Sequence, residues 1–187
     1  MIQLHLKKIL VLFLFPLVSY AAPAWKIIPG DSTLTFSGIQ NGAPASGKFD
    51  KFSGEIKFDP EKPNENSVKI IIDTTSVSAS YVDLIDTLKT TDWFNVKLFP
   101  QAIFTANEFK KTSDKSWEAI GNLTIRDKTH PVILTFNVLE QTDTNAKVKG
   151  STIIKRTAFG VGQGEWASTN EIKDDVTVNF TLSVVKQ

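Results

Sequence analysis

The sequence predicts an all-β fold: eight antiparallel strands, each with one apolar face, and a single helix between the third and fourth. Two observations carry this. Apolar residues alternate with polar ones along most of the chain, the period of a strand with one greasy and one wet face. In "DVTVNFTLSVV", residues 175–185, Val176, Val178, Phe180, Leu182 and Val184 alternate with Thr177, Asn179, Thr181 and Ser183. The links between such runs are short and polar, which favours antiparallel neighbours. Eight one-faced strands must fold over as a sandwich or close into a barrel, and closure leaves no exposed edge. A barrel of about eight strands is just wide enough to be filled by side chains or to hold one ligand. The alternation alone leaves that choice open.

Leu34 and Phe36 mark the first strand, Phe52, Ile56 and Phe58 the second, and Val68, Ile70 and Ile72 the third. Ala102, Phe104 and Ala106 mark the fourth, after Pro100, which suits a strand start because it has no N–H to donate. The fifth holds Trp117, Ala119, Gly121, Leu123 and Ile125, the sixth Val132, Leu134, Phe136 and Val138, the seventh Val148, Gly150, Thr152 and Ile154. The segment quoted above is the eighth. "DPEKPNEN", "RDKTHP" and "TDTN" read as connections between strands two and three, five and six, and six and seven.

One segment breaks the period. In "SYVDLIDTLKTTDWF" the residues Tyr81, Leu84, Ile85 and Leu88 fall at helical spacing, and Ser80 with Asp83 has the form of a capping box. Asp92 is placed to open a second short helical turn carrying Trp93 and Phe94.

The first residues stand apart. Lys7 and Lys8 precede the apolar run from Ile9 to Val18, and Ser19-Tyr20-Ala21 places small residues where a signal peptidase reads them. The run is far short of the ~20 apolar residues of a membrane span. Residues 1–21 are therefore expected to be a secretory signal peptide and 22–187 the mature domain. Ala22 and Ala24 offer the same spacing for a cut after Ala24. Without Lys7 and Lys8 the 20 acidic residues leave a net charge of −1, so nothing attracts nucleic acid. There is no cysteine, which excludes disulfides, thiol chemistry and cysteine metal sites.

Reactive groups are scarce. His130 is the single histidine beyond the expected cut, so a histidine zinc cluster is impossible, and no "GxSxG" elbow is present. Before Pro131, its reading is an exposed or backbone-bonded side chain. Asp83, Asp86 and Asp92 read as solvated charges of the helical region. "FGVGQGEW", residues 159–166, has the look of a phosphate cradle, but no helix follows to meet an anion; its glycines read as turns and a bulge. Arg156 shares the parity of the apolar face, so its guanidinium is a candidate fork for a phosphate or ring oxygen at a cavity mouth; a salt bridge or an outward turn are its alternatives. Trp93, Phe94, Phe99 and Phe104 form an aromatic cluster that suits either a core or the walls of a lipid pocket.

The segments "GKFDKFSGEIKFDP", "DWFNVKLFPQAIF", "GNLTIRDKTHPVIL" and "IKRTAFGVGQGEW" resemble, in order, the signature segments of the YceI-like family of secreted bacterial proteins. The resemblance implies an extended lipocalin-like antiparallel β-barrel. It also implies a periplasmic address, no known catalytic centre, and an amphiphilic ligand: a prenyl pyrophosphate, an isoprenoid quinone or a fatty acid derivative. The matching positions are Phe49, Phe52, Asp59, Asp92, Trp93, Phe94, Phe99, Pro100, Phe104, Arg156, Phe159 and Gly160. Two departures stand out: the first strand, "STLTFSGIQ", lacks a histidine many members carry, and Asp127 stands where glycine is common. The "FGVGQGEW" form resembles a branch often found alongside membrane b-type cytochromes, a likeness that points to quinone or respiratory chemistry and makes a membrane cytochrome a candidate partner.

The resulting expectation is a non-enzymatic carrier that holds a lipid without covalent attachment or any further cofactor. Expected ligand contacts are Phe36, Phe52, Leu84, Leu88, Trp93, Phe94, Phe99, Phe104, Leu123, Phe136, Arg156 and Phe159, with Leu84, Leu88 and Trp93 gating the entrance and Arg156 or Lys89 meeting the head. A homodimer is compatible with a flat outer face. The rivals are a packed barrel that serves only as a partner of a membrane protein, and an enzyme acting on a lipid through Asp92, His130 or another titrating group.

Overall fold

The computed structural model describes residues 21–187; all but the last residue of the expected signal peptide lie outside them. Among the described residues there are eleven strands and one α-helix: β1 (Ala24–Ile27), β2 (Thr33–Gln40), β3 (Ala43–Phe49), β4 (Phe52–Lys57), β5 (Ser67–Asp73), β6 (Val77–Ala79), α1 (Val82–Lys89), β7 (Gln101–Lys111), β8 (Ser116–Ile125), β9 (Lys128–Gln141), β10 (Asn145–Lys155) and β11 (Asp175–Lys186).

Their pairing resolves into a closed barrel of eight. β1 pairs with both β4 and β11, and the circuit runs β1, β4, β5, β7, β8, β9, β10, β11 and back to β1, every pairing antiparallel. The remaining strands continue the first three staves. β2 follows β1 along β11, β3 pairs with β2 ahead of β4, and β6 extends β5 beside β3. Three staves are thus each broken once, at the 3-10 turn Pro29–Asp31, at Asp50-Lys51, and at the turn Thr74–Ser76, where the Asp73 carboxylate accepts from the Thr75 N–H at 2.9 Å. The eight-stranded antiparallel lipocalin-like barrel holds, with α1 after the third stave.

Two irregularities aim side chains. A bulge between Ala106 and Glu108 flips the parity of β7, so Phe109 turns inward after Ala102, Phe104 and Ala106. Beyond the Thr135–Ser151 pair, β9 and β10 no longer bond, and the 3-10 turn Arg156–Phe159 packs beside β9. Phe159 is buried there with the His130 ring edge-on at 5.0 Å. The unpaired length of β9 also explains Pro131, which lies in the strand opposite Asn122 rather than in a turn. The β8–β9 turn is only Arg126-Asp127, shorter than "RDKTHP" predicts.

Helix α1 keeps Leu88 buried and Leu84 half-buried, as the spacing predicts. The capping box does not form: the Ser80 hydroxyl donates to the Ser46 carbonyl, and Tyr81 is the N-cap with no side-chain bond. Asp92 opens no second helix; residues 91–94 are turns, with the Trp93 N–H on the Thr90 carbonyl at 3.2 Å.

Candidate ligand-binding lumen

The inward face of the barrel is apolar and incompletely filled. Three cavities follow one another. The lower, of about 170 Å³, is walled by Trp25, Phe52, Phe58, Phe104, Phe136 and other inward side chains of the strands, with Gln141 and Thr152 its polar exceptions. The middle one, about 130 Å³, shares Leu34, Ile72, Leu123 and Val178 with the lower. The mouth, about 160 Å³, shares Phe36, Leu88, Trp93, Arg156 and Val176 with the middle. Cavities of roughly 150 Å³ lined by aliphatic and phenyl groups stay dry and take up apolar guests.

The inward residues record the same hollowness. Phe52, Ile56, Phe58, Val68, Ile70, Ile72, Leu134, Phe136, Val148, Val178, Phe180 and Leu182 are half-buried although all point into the barrel. In a packed core such side chains would be fully buried. Aromatic groups cluster towards both ends. At the floor, Phe58 meets Phe109, Trp117 and Phe136 with centroids 5.6, 5.1 and 6.1 Å away. Towards the mouth, Phe36, Phe49 and Phe94 form a trio at 5.4, 6.4 and 5.5 Å. Gly150 makes room for two of these walls: a Cβ there would lie 2.4 Å from Phe180 and 2.8 Å from Phe136.

Most of the predicted residues converge. Leu84 lines the mouth; Phe36, Leu88 and Trp93 line mouth and middle; Phe94 and Phe159 line the middle; Leu123 lines middle and lower; Phe52, Phe104 and Phe136 line the lower cavity. Phe99 does not join them. Its ring lies under the Arg126 guanidinium at 5.5 Å, and its carbonyl accepts from the Thr74 hydroxyl at 2.7 Å. Lys89 is not among the mouth residues either; the lysine there is Lys173, which lines the mouth together with Asp83 and Gln40.

Arg156 faces the cavities but is not free to bind a head group. It is 3 % exposed, and its five N–H bonds all end on main-chain carbonyls: Nε on Lys173 (3.2 Å), Nη1 on Val161 and Gly162 (both 3.1 Å), Nη2 on Ser168 (3.0 Å) and Ile172 (2.9 Å). Burial lowers its pKa, against the attraction of Asp174, though a guanidinium stays charged regardless. Neither the salt bridge nor the outward turn forms; the guanidinium is the hub on which loop 157–174 hangs. Gly160, Gly162 and Gly164 all have positive φ, the conformation glycine adopts without strain. At Gly162 a Cβ would also strike Arg156 Nη1 at 2.3 Å. The Gly162 and Gln163 N–H groups donate to the Asp92 carbonyl, both at 2.8 Å, tying this loop to the segment after α1. "FGVGQGEW" is therefore a structural loop.

Sequence reasoning missed Arg126. At φ +57 it turns β8 into β9, and its Nη1 donates to the Thr91 carbonyl at 2.8 Å and to that of Trp93, fixing the mouth wall. The Trp93 indole N–H is buried without a protein acceptor. His130 Nε2 lies 2.9 Å from the Ala158 carbonyl, a backbone-bonded role. Among the described residues no three His, Asp or Glu side chains are grouped to hold a metal ion, and no helix is long and apolar enough to cross a membrane.

Comparison with known proteins places this architecture. The model of the YceI-like domain matches residues 25–184, and the chain belongs to that family. A UPF0312 protein of Pseudomonas aeruginosa is 30% identical over 132 residues, 68% of this chain and 69% of that one. A UPF0312 protein of Yersinia enterocolitica is 36% identical over 88 residues; the match spans about half of each protein, 47% of this chain and 45% of the relative. Among solved structures, Burkholderia cenocepacia BcnA superposes with a TM-score of 0.79 at 32% identity, over 84% of this chain and 98% of that one. A polyisoprenoid binding domain from Saccharophagus degradans, implicated in plant cell wall breakdown, shares the fold at TM-score 0.70 and 18% identity, over 88% and 99% of the two chains.

Proposed function

We propose that this member of the YceI-like family is an exported, periplasmic carrier of a long isoprenoid lipid with an uncharged oxygen-bearing head, of the quinone or alcohol type. The observation that carries the reading is the hollow lumen: inward apolar side chains left half-buried around cavities in series. Burying each methylene contributes about 0.8 kcal/mol, so several isoprene units bind firmly without a covalent step. The polyisoprenoid binding of the Saccharophagus relative, which shares the fold, is consistent with such cargo.

The head-group preference rests on where the charges are spent. The guanidinium at the mouth has no N–H to offer a diphosphate, and the Lys173 ammonium, bonded to the Asn170 carbonyl at 3.2 Å, shares the mouth with the Asp83 carboxylate. Gln40, Thr87 and the unpartnered Trp93 indole suit a quinone carbonyl or a hydroxyl. Ile39, Tyr81 and Val82, all exposed, crown the mouth side where a membrane-resident chain would enter. Titration with an isoprenoid quinone and with a prenyl diphosphate of equal chain length is the test. Tighter quinone binding is expected; preference for the diphosphate refutes the head assignment, and binding of neither refutes the carrier.

A second reading, a partner for a membrane protein, has one observation of its own. Ile133 and Ile153 point outward on β9 and β10, 50% and 64% exposed, just beyond the last bonded pair of those strands.

A further inference from the structure

The foot of the barrel carries a feature that the lumen does not use. Ala21 is exposed, whereas Ala22 is 6% exposed and its N–H donates to Glu65 Oε2 at 2.9 Å. From Ala22 onward the chain is built into the floor. The Pro23 carbonyl accepts from the Phe58 N–H at 3.2 Å, Ala24 stands opposite Lys57, and the Ala24 carbonyl accepts from the Gln187 N–H at 2.9 Å. Among the described residues the built-in chain thus begins at Ala22, directly after the Ser19-Tyr20-Ala21 triplet of the sequence.

We propose that hydrolysis of the Ala21–Ala22 peptide bond, where the sequence already places the expected cut, creates an ion pair which locks the floor. Water adds across the peptide bond, leaving a carboxylate on Ala21 and an ammonium on Ala22. The new ammonium meets a carboxylate already in place on Glu65, and a bond from a neutral amide becomes a charge-assisted one. The alternative cut after Ala24 would leave Trp25 first in the chain. It would remove the acceptors of Phe58 and Gln187 and the residue opposite Lys57, opening the floor beside Trp25, whose indole donates to the Phe58 carbonyl at 3.1 Å. Because Ala22 is buried in the folded barrel, the protease acts on the extended chain before β1 docks. The proposal rests on the export reading and goes beyond it by naming the carboxylate that meets the new amino terminus and what the pair does for the floor.

The test has two arms. The full 187-residue chain is expressed in an export-competent bacterium and its intact mass measured. A chain beginning at Ala22 is expected; one beginning at Trp25 overturns the proposal and leaves export standing; an uncut chain overturns both. In the second arm Glu65→Gln is compared in chains beginning at Ala22 and at Ala21. A pair with one buried and one exposed partner, screened on the Glu65 side, is expected to shift Tm by roughly 1–3 °C in a domain of this size. The loss is expected in the chain beginning at Ala22 and is smaller when Ala21 keeps the amide neutral. Equal losses in the two chains overturn the ion pair.

Discussion

Replacing Val178 by phenylalanine tests the hollow lumen at its waist. Val178 points inward from β11 between Phe36 of β2 and Thr152 of β10, is half-buried, and lines both the lower and the middle cavity. The exchange adds about four carbon-sized groups to a passage between cavities of about 170 and 130 Å³. A guest that threads the passage must give up contacts of the same size. At about 0.8 kcal/mol per displaced methylene the loss is about 3 kcal/mol, roughly a 200-fold weaker Kd. The fold tolerates the change because the ring enters space rather than neighbours; overpacking, if any, is limited to about 1–3 kcal/mol. Thr177→Phe on the opposite face of the same strand is the control, since one step along a strand moves a side chain from lumen to outside. Calorimetric titration with a solubilised isoprenoid quinone, alongside thermal unfolding, reads both effects. Unchanged affinity in a folded Val178→Phe protein, or equal weakening by Thr177→Phe, refutes a guest in the lumen.

Arg156→Met leaves five main-chain carbonyls without their donor and is expected to destabilise the protein by about 3 kcal/mol or more, lowering Tm on the order of 10 °C; Arg156→Lys rescues little, because an ammonium cannot reach five acceptors in one plane. Gly162→Ala forces a side chain into a left-handed residue and against Arg156, with an expected loss of about 1–3 kcal/mol in thermal unfolding. Asp174 has a folded pKa below its ordinary value: burial pushes it up, but the N–H and hydroxyl of Thr157, with Lys155 and Arg156 nearby, pull it down further. Its contribution is therefore present above the ordinary aspartate pKa and lost as pH falls through the depressed one, so Asp174→Asn should flatten the acid end of the Tm profile. Ile153→Lys on the outer face should leave lipid affinity unchanged and weaken any membrane-protein contact, read by co-purification of the tagged pair.

The later five staves were legible because alternation there runs long. The first three were legible only in half. β3, "APASGKF", turns Ala45, Gly47 and Phe49 inward, and two of these three are small because the Phe36 ring lies over the Gly47 backbone, where a Cβ would sit 2.5 Å from it. A stave that yields space to its neighbour carries no apolar rhythm of its own. β1 and β6 are too short to show a period, and their place is fixed by partners far along the chain, Lys186 opposite Trp25 and Phe49 opposite Val77. The bulge in β7 is silent for the same reason: Gly121 lets the kinked backbone approach so closely that a Cβ would lie 2.1 Å from the Thr105 carbonyl.

The walls of the lumen were legible and its polar groups were not, and the difference is physical. An inward apolar residue is specified by parity, which is local, so Leu123, Phe136 and Phe104 can be placed from sequence alone. A charged group at the mouth is specified by what satisfies it, which is not local. Arg156 has the parity of a ligand contact, but the loop from 157 to 174 returns over it and presents carbonyls from Val161, Gly162, Ser168, Ile172 and Lys173, so the charge serves to fold the loop. The same return brings Lys173 to the mouth and seats Trp166 5.9 Å from Trp93. Loop and helix are held together through the Asp92 carbonyl, a main-chain atom that no side-chain motif reports. The entrance therefore depends on backbone hydrogen bonds and the tunnel on side-chain periodicity. Substitutions at the entrance should change stability and ligand access together, whereas those that fill space along the tunnel should change affinity more than stability.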